Sequence, residues 1–471
     1  MKQLVVKNPF SGAAIDTLSF ASTDEVRSAL DRSVSAFQTW RNSSSHERAR
    51  VLSDVAARLL KQQDTFARLI QDEAGKPIRY ARVEVERCLG VLQWAAAEAQ
   101  RFSGELLRID TTAGGRPGFG IAGRFPRGPI LGITPFNFPL NLTAHKVAPA
   151  VAAGCSILIK PSPATPLTAL RFAELFAEAG APQGLVQVVL ADDEATAALT
   201  RAAEIKMVSF TGSARVGKLI RAQAVDKPVT LELGGNAWAI VMDDVAQSDL
   251  PAIAKRIAGG AFGYAGQSCI SVQNVVAPMS LVGALEKALV EVTENIAFGD
   301  PSNPDVVSGP VINLAAAQRI QKELGNTPVG AEQIQSRKPV AVGNGGLVVP
   351  PTLVTLPNAQ SYSSSLVQEE IFGPIMTLGS YKALDQMIAV MNSGHYGLQA
   401  GVFTQHWPTI EKLYRELNVG GLVVNDVPTT RYDHQPYGGV KDSGQGREGV
   451  RYAMDEMTEP KFLALSSIIP G

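Results

Sequence analysis

The chain has 471 residues, 45% hydrophobic and 18% charged, which is typical of a globular protein with a large core in two or three domains or one multi-lobed unit. A net charge of −1 and the lack of an apolar run of membrane-spanning length argue against nucleic-acid and membrane partners. The amino terminus has no signal-peptide core and the three cysteines lie far apart, so we expect a reduced, cytoplasmic chain without a disulfide framework or metal site.

Helices are predicted for the first hundred residues. Ser22-Thr23-Asp24-Glu25 and Ser44-Ser45-His46-Glu47 both match the capping box, which satisfies free N–H groups at a helix start. After the second box, apolar residues recur on one helix face, namely Val51, Leu52, Val55, Leu59 and Leu60. Gly75-Lys76-Pro77 would end that helix, and a further helix is predicted over about 78–100.

From residue 130 onward, short β-branched runs alternate with segments of helix length. The predicted strands are 130–134, 156–160, 186–190, 207–210, 230–233 and 239–242, and the predicted helices are 140–153, 166–180 and 216–223. This alternation indicates βαβ units in a mostly parallel, doubly wound sheet. A second α/β block is expected from about 250 to 425, and residues 456–469 are predicted to be extended.

One phosphate-binding pattern can be set aside. Residues 212–218 match GxxxxGK, but a P-loop requires Ser or Thr next to hold magnesium, and Leu219 stands there. Phe210-Thr211-Gly212-Ser213 nevertheless follows a strand and opens a helix. The start of that helix can still receive a pyrophosphate group.

Four side chains suited to catalysis lie in turn-rich segments. Cys269 follows Gly266-Gln267-Ser268, Asn137 lies between Pro135 and Pro139, and Glu232 and Glu370 each precede a glycine turn. Together they supply a thiol nucleophile, an amide donor and two carboxylates. Each residue alone also has an ordinary structural interpretation, as a buried apolar Cys, a turn Asn or a strand-end Glu.

Seven segments carry a resemblance to a known family. In chain order they are Pro135-Phe136-Asn137-Phe138-Pro139, Lys160-Pro161-Ser162, Phe210-Thr211-Gly212-Ser213, Leu231-Glu232-Leu233-Gly234-Gly235, Gly266-Gln267-Ser268-Cys269, Glu370-Ile371-Phe372-Gly373-Pro374 and Pro436-Tyr437-Gly438-Gly439-Val440-Lys441. In this order the chain resembles the NAD(P)-dependent aldehyde dehydrogenases over essentially its whole length. Residues 425–437 and Ser271-Val272-Gln273 are similar to the branch that includes lactaldehyde, non-phosphorylating glyceraldehyde-3-phosphate and phosphonoacetaldehyde dehydrogenases.

The resemblance implies an α/β fold with three lobes. A Rossmann-type cofactor domain would comprise residues 1–107 and 128–238, and an α/β catalytic domain would comprise 239–453. A small β oligomerisation lobe would join 108–127 to 454–471. Such lobes pair subunits in the family, so the resemblance implies a homodimer or homotetramer.

The resemblance also implies the catalytic roles. Cys269 would attack the aldehyde to give a thiohemiacetal and, after hydride departs, a thioester. The Asn137 amide and the Cys269 backbone N–H would form the oxyanion hole, and Glu232 would activate the hydrolytic water. Lys160 completes the catalytic set and would also hold the adenosine ribose.

The implied cofactor is NAD or NADP. Its site would be formed by Thr134, Pro135, Phe136, Lys160, Ser162, Pro163, Gly212, Ser213, Val216, Leu233, Gly234, Glu370 and Phe372. Many NAD-preferring members have Glu three residues after the lysine, where this chain has Pro163. Without that carboxylate a 2′-phosphate meets no like charge, so we expect NADP to be tolerated or preferred.

The substrate is a small-molecule aldehyde whose identity stays open. Arg431 and His434 would face a small anionic or hydroxylated aldehyde, although Arg431 could instead pair with Asp433 or a partner subunit at the surface. Asn274 replaces an Arg that is common in the branch, which weakens the case for an anion. The alternatives are aliphatic or aromatic aldehydes or succinic semialdehyde, then a CoA-acylating semialdehyde dehydrogenase or a catalytically silent scaffold. Glu232 argues against CoA acylation, whose enzymes typically lack this carboxylate.

Overall fold

Three larger β-sheets organise the chain, and the computed structural model describes residues 2–115, 118–341, 343 and 347–466. The helices are α1 Thr23–Trp40, α2 Ser45–Lys61, α3 Gln63–Ala74, α4 Ile78–Arg101, α5 Asn141–Ala153, α6 Pro166–Glu178, α7 Asp193–Arg201, α8 Ala214–Gln223, α9 Leu250–Phe262, α10 Val282–Glu294, α11 Leu314–Gly325, α12 Ser365–Gln368, α13 Leu384–Ser393, α14 Trp407–Glu416 and α15 Val450–Glu456.

The strands follow the same chain order. They are β1 Gln3–Lys7, β2 Ala14–Ser19, β3 Glu105–Arg108, β4 Gly118–Pro126, β5 Ile130–Ile133, β6 Ile157–Lys160, β7 Val186–Val188, β8 Met207–Thr211, β9 Val229–Glu232, β10 Ala237–Val241, β11 Val272–Pro278, β12 Ala297–Phe298, β13 Glu332–Gln335, β14 Lys338–Pro339, β15 Thr352–Thr355, β16 Ile375–Tyr381, β17 Tyr396–Gly397, β18 Gln399–Phe403, β19 Gly421–Val424, β20 Val440–Lys441, β21 Gly444–Gln445 and β22 Thr458–Ser466.

The amino-terminal region is helical only after residue 22. The prediction of helix throughout is wrong for β1 and β2, which form an antiparallel hairpin whose turn is closed by bonds to the Asn8 side chain. A single helix from the second capping box to Gly75 is also wrong, because α2 ends at Lys61 and α3 begins at Gln63. Leu60 is 55% exposed and does not share the buried face of its neighbours.

The two capping boxes differ in the structure. Ser22 and Glu25 exchange both bonds of the motif at the start of α1, as predicted. At the start of α2, Ser44 Oγ accepts from the Glu47 N–H at 3.1 Å, but the return bond from the Glu47 side chain is not formed. The sequence pattern therefore located both helix starts correctly, although only one forms the full motif.

The first large sheet has six strands in the order β21-β9-β8-β5-β6-β7. All its neighbours are parallel except β21, which pairs antiparallel to β9, so the predicted parallel, doubly wound sheet is confirmed. The chain passes from β5 outward through β6 and β7, then returns to β8 and β9 on the other side. Ligands in such sheets bind where the strand order reverses, outside the carboxyl ends of the strands, here those of β5 and β8.

The second large sheet has seven strands in the order β13-β15-β16-β11-β10-β18-β19, parallel except at β13. It confirms the predicted second α/β block, but that block begins earlier than about residue 250. The strand predicted at 239–242 in the first block is β10, which pairs with β11 and β18 here. Residues 233–236 link the carboxyl end of β9 directly to the start of β10, and Ala237 pairs with Val272 of β11. The carboxyl edge of the first sheet therefore faces the amino edge of the second, where Cys269 precedes β11.

The third sheet is antiparallel, with the order β22-β4-β3. The predicted extended tail is confirmed from Thr458 to Ser466, but its predicted start is wrong because Glu456 ends α15. The remainder of that prediction, 467–469, lies outside the described residues. Both β4 and β22 fall in the stretches that the resemblance assigned to an oligomerisation lobe, whereas β3 begins slightly before it. Within the described part of the chain, no helix has both the length and the apolarity needed to cross a membrane.

Candidate active site

Asn137 lies in the loop that leaves the carboxyl end of β5. Its side chain is 4% exposed, and its Nδ2 donates to the Gln267 carbonyl oxygen at 3.0 Å. Gln267 lies two residues before Cys269 in the chain. The structure therefore brings the predicted amide donor to the segment that carries the predicted nucleophile.

The turn that leads to Cys269 is strained. Tyr264, Ala265 and Gly266 follow one another with φ of 53°, 54° and 65°, in the left-handed region that L side chains rarely adopt. Gln267 stabilises this turn from within, because its Oε1 accepts from the Ile312 N–H at 2.9 Å. Only the glycine was visible as a turn signal in the sequence, so the strain at Tyr264 and Ala265 was missed.

Cys269 is partly exposed as a residue, and its Sγ lies 3.3 Å from the Tyr437 hydroxyl. Burial raises the pKa of this thiol to about 12, while the hydrogen bond with Tyr437 acts in the opposite direction. The nearby carboxylates of Glu370 and Glu232 also raise the pKa, and the Arg431 charge lowers it. The resting group is therefore a neutral thiol, and Tyr437 is a neighbour that the sequence analysis did not single out.

Glu232 ends β9 and is 3% exposed. Neither of its carboxyl oxygens has a hydrogen-bond partner among the described residues. Burial raises the pKa of this carboxyl well above its usual range, and the charge of Glu448 raises it further. A buried carboxyl with free oxygens and a high proton affinity can take a proton from a water molecule.

Glu448 is a second buried carboxyl near Glu232, and it is ionised. Its Oε1 lies 2.9 Å from the ammonium of Lys146, which is fully buried in α5, and its Oε2 lies 3.2 Å from the Arg431 guanidinium. Although burial acts against ionisation, these two cations lower the pKa of Glu448 to about 2. The sequence analysis missed this cluster. Its one available signal was Lys146, a charge within the apolar residues of α5.

Arg431 is held inside the protein rather than at the surface. Its side chain is 5% exposed, pairs with Glu448, and places its guanidinium carbon 3.7 Å from the centre of the Tyr437 ring. The alternative that Arg431 pairs with Asp433 is wrong, because Asp433 bonds Arg87 and His145 instead. The structure therefore brings Arg431 one side chain away from Cys269.

His434 lies apart from these groups. It is exposed and stacks on Trp94, with 4.8 Å between the ring centroids. Asn274 is fully buried, and its side chain bonds Asn236, Thr377 and the Val367 carbonyl inside the second sheet. Asn274 is therefore held inside the second sheet and offers no charged group to a ligand.

The residues predicted to hold the cofactor gather at the carboxyl edge of the first sheet. Thr134, Pro135 and Phe136 follow β5, and Lys160 ends β6 with Ser162 and the exposed Pro163 just beyond. Gly212 follows β8, and the exposed Ser213 begins α8 without capping it, so both its hydroxyl and the free N–H groups of the first turn are available. Val216 lies in that turn and is partly exposed, and the buried Leu233 follows β9.

The other residues predicted to hold the cofactor, Glu370 and Phe372, precede β16 of the second sheet. Glu370 Oε1 accepts from the Gly235 N–H at 2.9 Å, and its carboxylate lies so close to Gly234 that a Cβ there would collide with it. Burial raises the pKa of Glu370 to about 7. Phe372, at φ 49°, meets Phe136 edge-on at 5.9 Å between ring centroids.

These donors fit a dinucleotide. Lys160 forms no ion pair within the described ranges, so its amino group is free for hydroxyl groups of a ligand. Burial lowers the pKa of this group. An uncapped helix start suits a pyrophosphate, and a carboxylate facing a glycine suits a ribose. Groups of metal-binding side chains are absent from the described residues. Fold and site together define a dinucleotide-dependent oxidoreductase with a cysteine at its centre.

The chain belongs to the aldehyde dehydrogenase family, whose model matches residues 1–463. It is 38% identical over 469 residues to the 3-sulfolactaldehyde dehydrogenase of Priestia aryabhattai, covering 99% of this chain and 95% of the relative. It is 32% identical over 475 residues to a lactaldehyde dehydrogenase of Methanococcus maripaludis, covering 98% and 97%.

The fold is also similar to those of solved structures of the family. Aldehyde dehydrogenase 21 of Physcomitrella patens, in complex with the reaction product succinate, superposes with a TM-score of 0.94 at 34% identity, covering 99% of this chain and 95% of that one. Glyceraldehyde-3-phosphate dehydrogenase GapN of Methanocaldococcus jannaschii, complexed with NADP, gives 0.90 at 31% identity, covering 98% and 99%. The predicted fold class and the predicted enzyme class, an NAD(P)-dependent aldehyde dehydrogenase, are confirmed.

Proposed function

We propose that this enzyme oxidises a small anionic or hydroxylated aldehyde to the carboxylic acid through Cys269. The observation that carries this proposal is a thiol beside Tyr437 and Arg431, with the unpartnered carboxyl of Glu232 nearby, facing a dinucleotide cradle. The thiol supplies the nucleophile and the carboxyl supplies the base that hydrolysis to an acid requires.

The first half of the reaction forms a bond between Cys269 and the substrate. Cys269 Sγ adds to the carbonyl carbon, and the carbonyl oxygen becomes an alkoxide that accepts hydrogen bonds from Asn137 Nδ2 and the Cys269 N–H. NAD or NADP, when bound, would supply the acceptor for the hydride that leaves the same carbon. Glu370, Phe372 and Lys160 would orient the cofactor, and a thioester on Cys269 remains.

The second half releases the Cys269 sulfur as a thiolate. Glu232 takes a proton from a water molecule whose oxygen attacks the thioester carbon, and the carbon–sulfur bond breaks to release the acid. Transfer to CoA is the rival outcome. The unpartnered, buried Glu232 favours water, and it also disfavours a silent scaffold, since Cys269, Asn137 and Lys160 are retained with it.

The substrate class rests on Arg431. This cation is one side chain from the nucleophile, and its Nε has no partner among the described residues. The Priestia relative is named for a sulfonated lactaldehyde and the Physcomitrella structure holds succinate, so two similar proteins handle small anions. Aliphatic and aromatic aldehydes and succinic semialdehyde remain the alternatives. His434 is exposed and stacked on Trp94, so we propose that it would contact the substrate only outside the buried site.

The cofactor preference rests on Pro163. It is exposed just beyond β6, where a carboxylate would repel a 2′-phosphate, and the similar GapN structure was solved with NADP. We therefore propose that NADP is accepted at least as well as NAD. Comparison of kcat/KM for the two cofactors tests this, and a strong preference for NAD would refute it.

A panel of aldehydes tests the function. Lactaldehyde, glyceraldehyde 3-phosphate, phosphonoacetaldehyde, succinic semialdehyde, a straight-chain aliphatic aldehyde and benzaldehyde would each be assayed with NAD and NADP, with and without CoA. We expect the highest kcat/KM for small anionic or hydroxylated aldehydes, and an acid as product even with CoA present. Best turnover of aliphatic or aromatic aldehydes would discard the substrate class and leave the mechanism intact.

Two variants separate the steps. Cys269→Ala should bind cofactor and produce no reduced cofactor. Glu232→Gln should slow turnover by about 10²–10⁴-fold and accumulate the thioester, visible as added mass on the intact protein. Full activity of Cys269→Ala would break the mechanism.

The remaining expectations are also proposals. The chain would divide into the three lobes given above, at residues 107–108, 127–128, 238–239 and 453–454. A homodimer or homotetramer would form through the β3–β4–β22 sheet. A cytoplasmic location is in keeping with three free cysteines, two of them buried.

A further inference from the structure

Tyr437 is fixed beside the nucleophile by its backbone. Its N–H donates to the Glu448 carbonyl at 3.0 Å and its own carbonyl accepts from the Glu448 N–H at 2.6 Å, which forms an isolated antiparallel bridge. Its side chain is 3% exposed and packs with Ile270 and Leu398. The bridge fixes the backbone of Tyr437, and burial against these neighbours holds its ring beside Cys269.

The Tyr437 hydroxyl has one hydrogen-bond partner within the described residues, the Cys269 sulfur at 3.3 Å. The Arg431 guanidinium carbon lies 3.7 Å from the centre of the Tyr437 ring. A cation against the ring makes the phenol a stronger donor. Burial keeps the pKa of this phenol well above its usual range, so the hydroxyl keeps its proton when the thiol loses one.

We propose that Tyr437 is a catalytic residue whose hydroxyl donates a hydrogen bond to the Cys269 thiolate and so stabilises the ionised nucleophile. The proposal deepens the proposed function and rests on Cys269 being its nucleophile. The charged groups that act on this sulfur are Glu370, Glu232 and Arg431. Two of the three oppose ionisation, so a fixed neutral donor adds to Arg431 as the second favourable contact.

The proton balance is simple. Ionisation moves the thiol proton to water, and the phenolic O–H bond stays intact and turns toward the sulfur. When Sγ bonds to the carbonyl carbon, its negative charge passes to the carbonyl oxygen. The hydrogen bond from Tyr437 is then released.

The test measures the thiol without aldehyde or cofactor. The rate of carboxamidomethylation by iodoacetamide, in which sulfur displaces iodide, is followed from pH 6 to pH 11 with the modified site identified by peptide mass. Tyr437→Phe removes only the hydroxyl. Tyr362→Phe is the matched control, because Tyr362 is also buried but donates to the Ser380 carbonyl.

We expect Tyr437→Phe to move the rising limb of the Cys269 alkylation profile to higher pH by roughly one to two units, which corresponds to the loss of one hydrogen bond to a charged group. Tyr362→Phe should leave the alkylation profile unchanged. An unshifted Tyr437→Phe profile would overturn the proposal.

Replacing Tyr437 by 3-fluorotyrosine gives an independent check that retains the contact. Its more acidic hydroxyl is a stronger donor, so the apparent pKa of Cys269 should fall. An unchanged or raised value would also overturn the proposal. Because alkylation needs no turnover, these results stand apart from the aldehyde panel, whose failure would instead count against the proposed function.

Discussion

Glu232 and Glu448 are two buried carboxyl groups with opposite tendencies. Burial and the charge of Glu448 raise the pKa of Glu232, while Lys146 and Arg431 overcome the burial of Glu448 and hold it ionised. Two like charges in a low-dielectric region rarely ionise together, so one carboxyl takes the negative charge and the other takes the proton. The pair therefore keeps Glu232 ready to exchange a proton.

Substituting Glu448→Gln should change the pH dependence of turnover. It removes the like charge that raises the pKa of Glu232 and leaves Lys146 and Arg431 to stabilise the Glu232 carboxylate. We expect the acid limb of the kcat–pH profile to move to lower pH. Glu98→Gln is the control, since Glu98 is a buried carboxyl that pairs with Arg101 and Arg451. An acid limb that stays in place, or moves to higher pH, would contradict this account.

Cofactor affinity should also depend on pH through Glu370. Its pKa is raised to about 7 by burial, so the carboxyl is mostly protonated at pH 6 and mostly ionised at pH 8. Only the ionised form presents both oxygens as acceptors for ribose hydroxyls. The Kd for the cofactor, measured by fluorescence titration, should therefore fall as pH rises through 7.

Glu370→Gln provides the comparison for this measurement. It should bind more weakly at pH 8 and lose most of the pH dependence. If the variant retained the full dependence, another group would be responsible.

Two helices that pack on the first sheet have no capping side chain of their own. Buried glutamate side chains from other helices accept hydrogen bonds from the N–H groups at their starts. Glu84 in α4 accepts from the N–H groups of Leu140 and Asn141 at the start of α5, and Glu73 in α3 accepts from Leu167 and Thr168 at the start of α6. A carboxylate at a helix start satisfies free N–H groups and complements the helix dipole. These bonds fix the loop that carries Asn137, which lies just before α5.

The Glu84 site should be sensitive to charge. Glu84 also pairs with Lys76, which is fully buried and lies 3.6 Å from the centre of the Phe138 ring. Glu84→Gln leaves that ammonium uncompensated, and we expect a loss of about 3–5 kcal/mol in the free energy of unfolding. Chemical denaturation measures it. Asp54→Asn, which breaks the exposed Arg50–Asp54 pair, should cost less than about 1 kcal/mol.

The antiparallel sheet presents an apolar face to its surroundings. Leu463 pairs with Ile121, which pairs with Leu106, and Leu465 pairs with Phe119, so the register places all five on one face. All five are at least 38% exposed. An apolar surface of this kind, on a sheet without its own core, is typical of a subunit interface.

Leu463→Glu should therefore separate subunits. The residue is 54% exposed in the single chain, so a charge there costs the monomer little, but it would be desolvated in an assembly. We expect a smaller mass in size-exclusion chromatography with light scattering, at an unchanged unfolding midpoint for the monomer. Lys461→Glu, on the same strand, is the control. An unchanged mass for Leu463→Glu would show that this face of the sheet is not the subunit interface.

Much of the fold could be predicted from local patterns. Alternating β-branched and helical segments placed β5 to β10 and helices α5, α6 and α8 to within a few residues, because period and turn residues act over short stretches of chain. Helix α7, Asp193–Arg201, was not predicted. Local patterns failed where the signal was weak or was compatible with more than one structure. The β1–β2 hairpin was taken for helix, the break between α2 and α3 was missed, and the full second capping box did not form.

For the candidate site too, the residues within short motifs could be predicted from the sequence, whereas the contacts between distant residues could not. Motif order was enough to point to Cys269, Glu232, Asn137 and the enzyme class, because each motif is a short stretch that carries its own turn and reactive group. The sequence did not reveal that Tyr437 touches Cys269 across 168 residues or that Lys146 pairs with Glu448 across 302. Such contacts depend on which strands become neighbours and which loops meet at their ends. Burial then sets the pKa values, so the protonation of this site is a property of the folded chain.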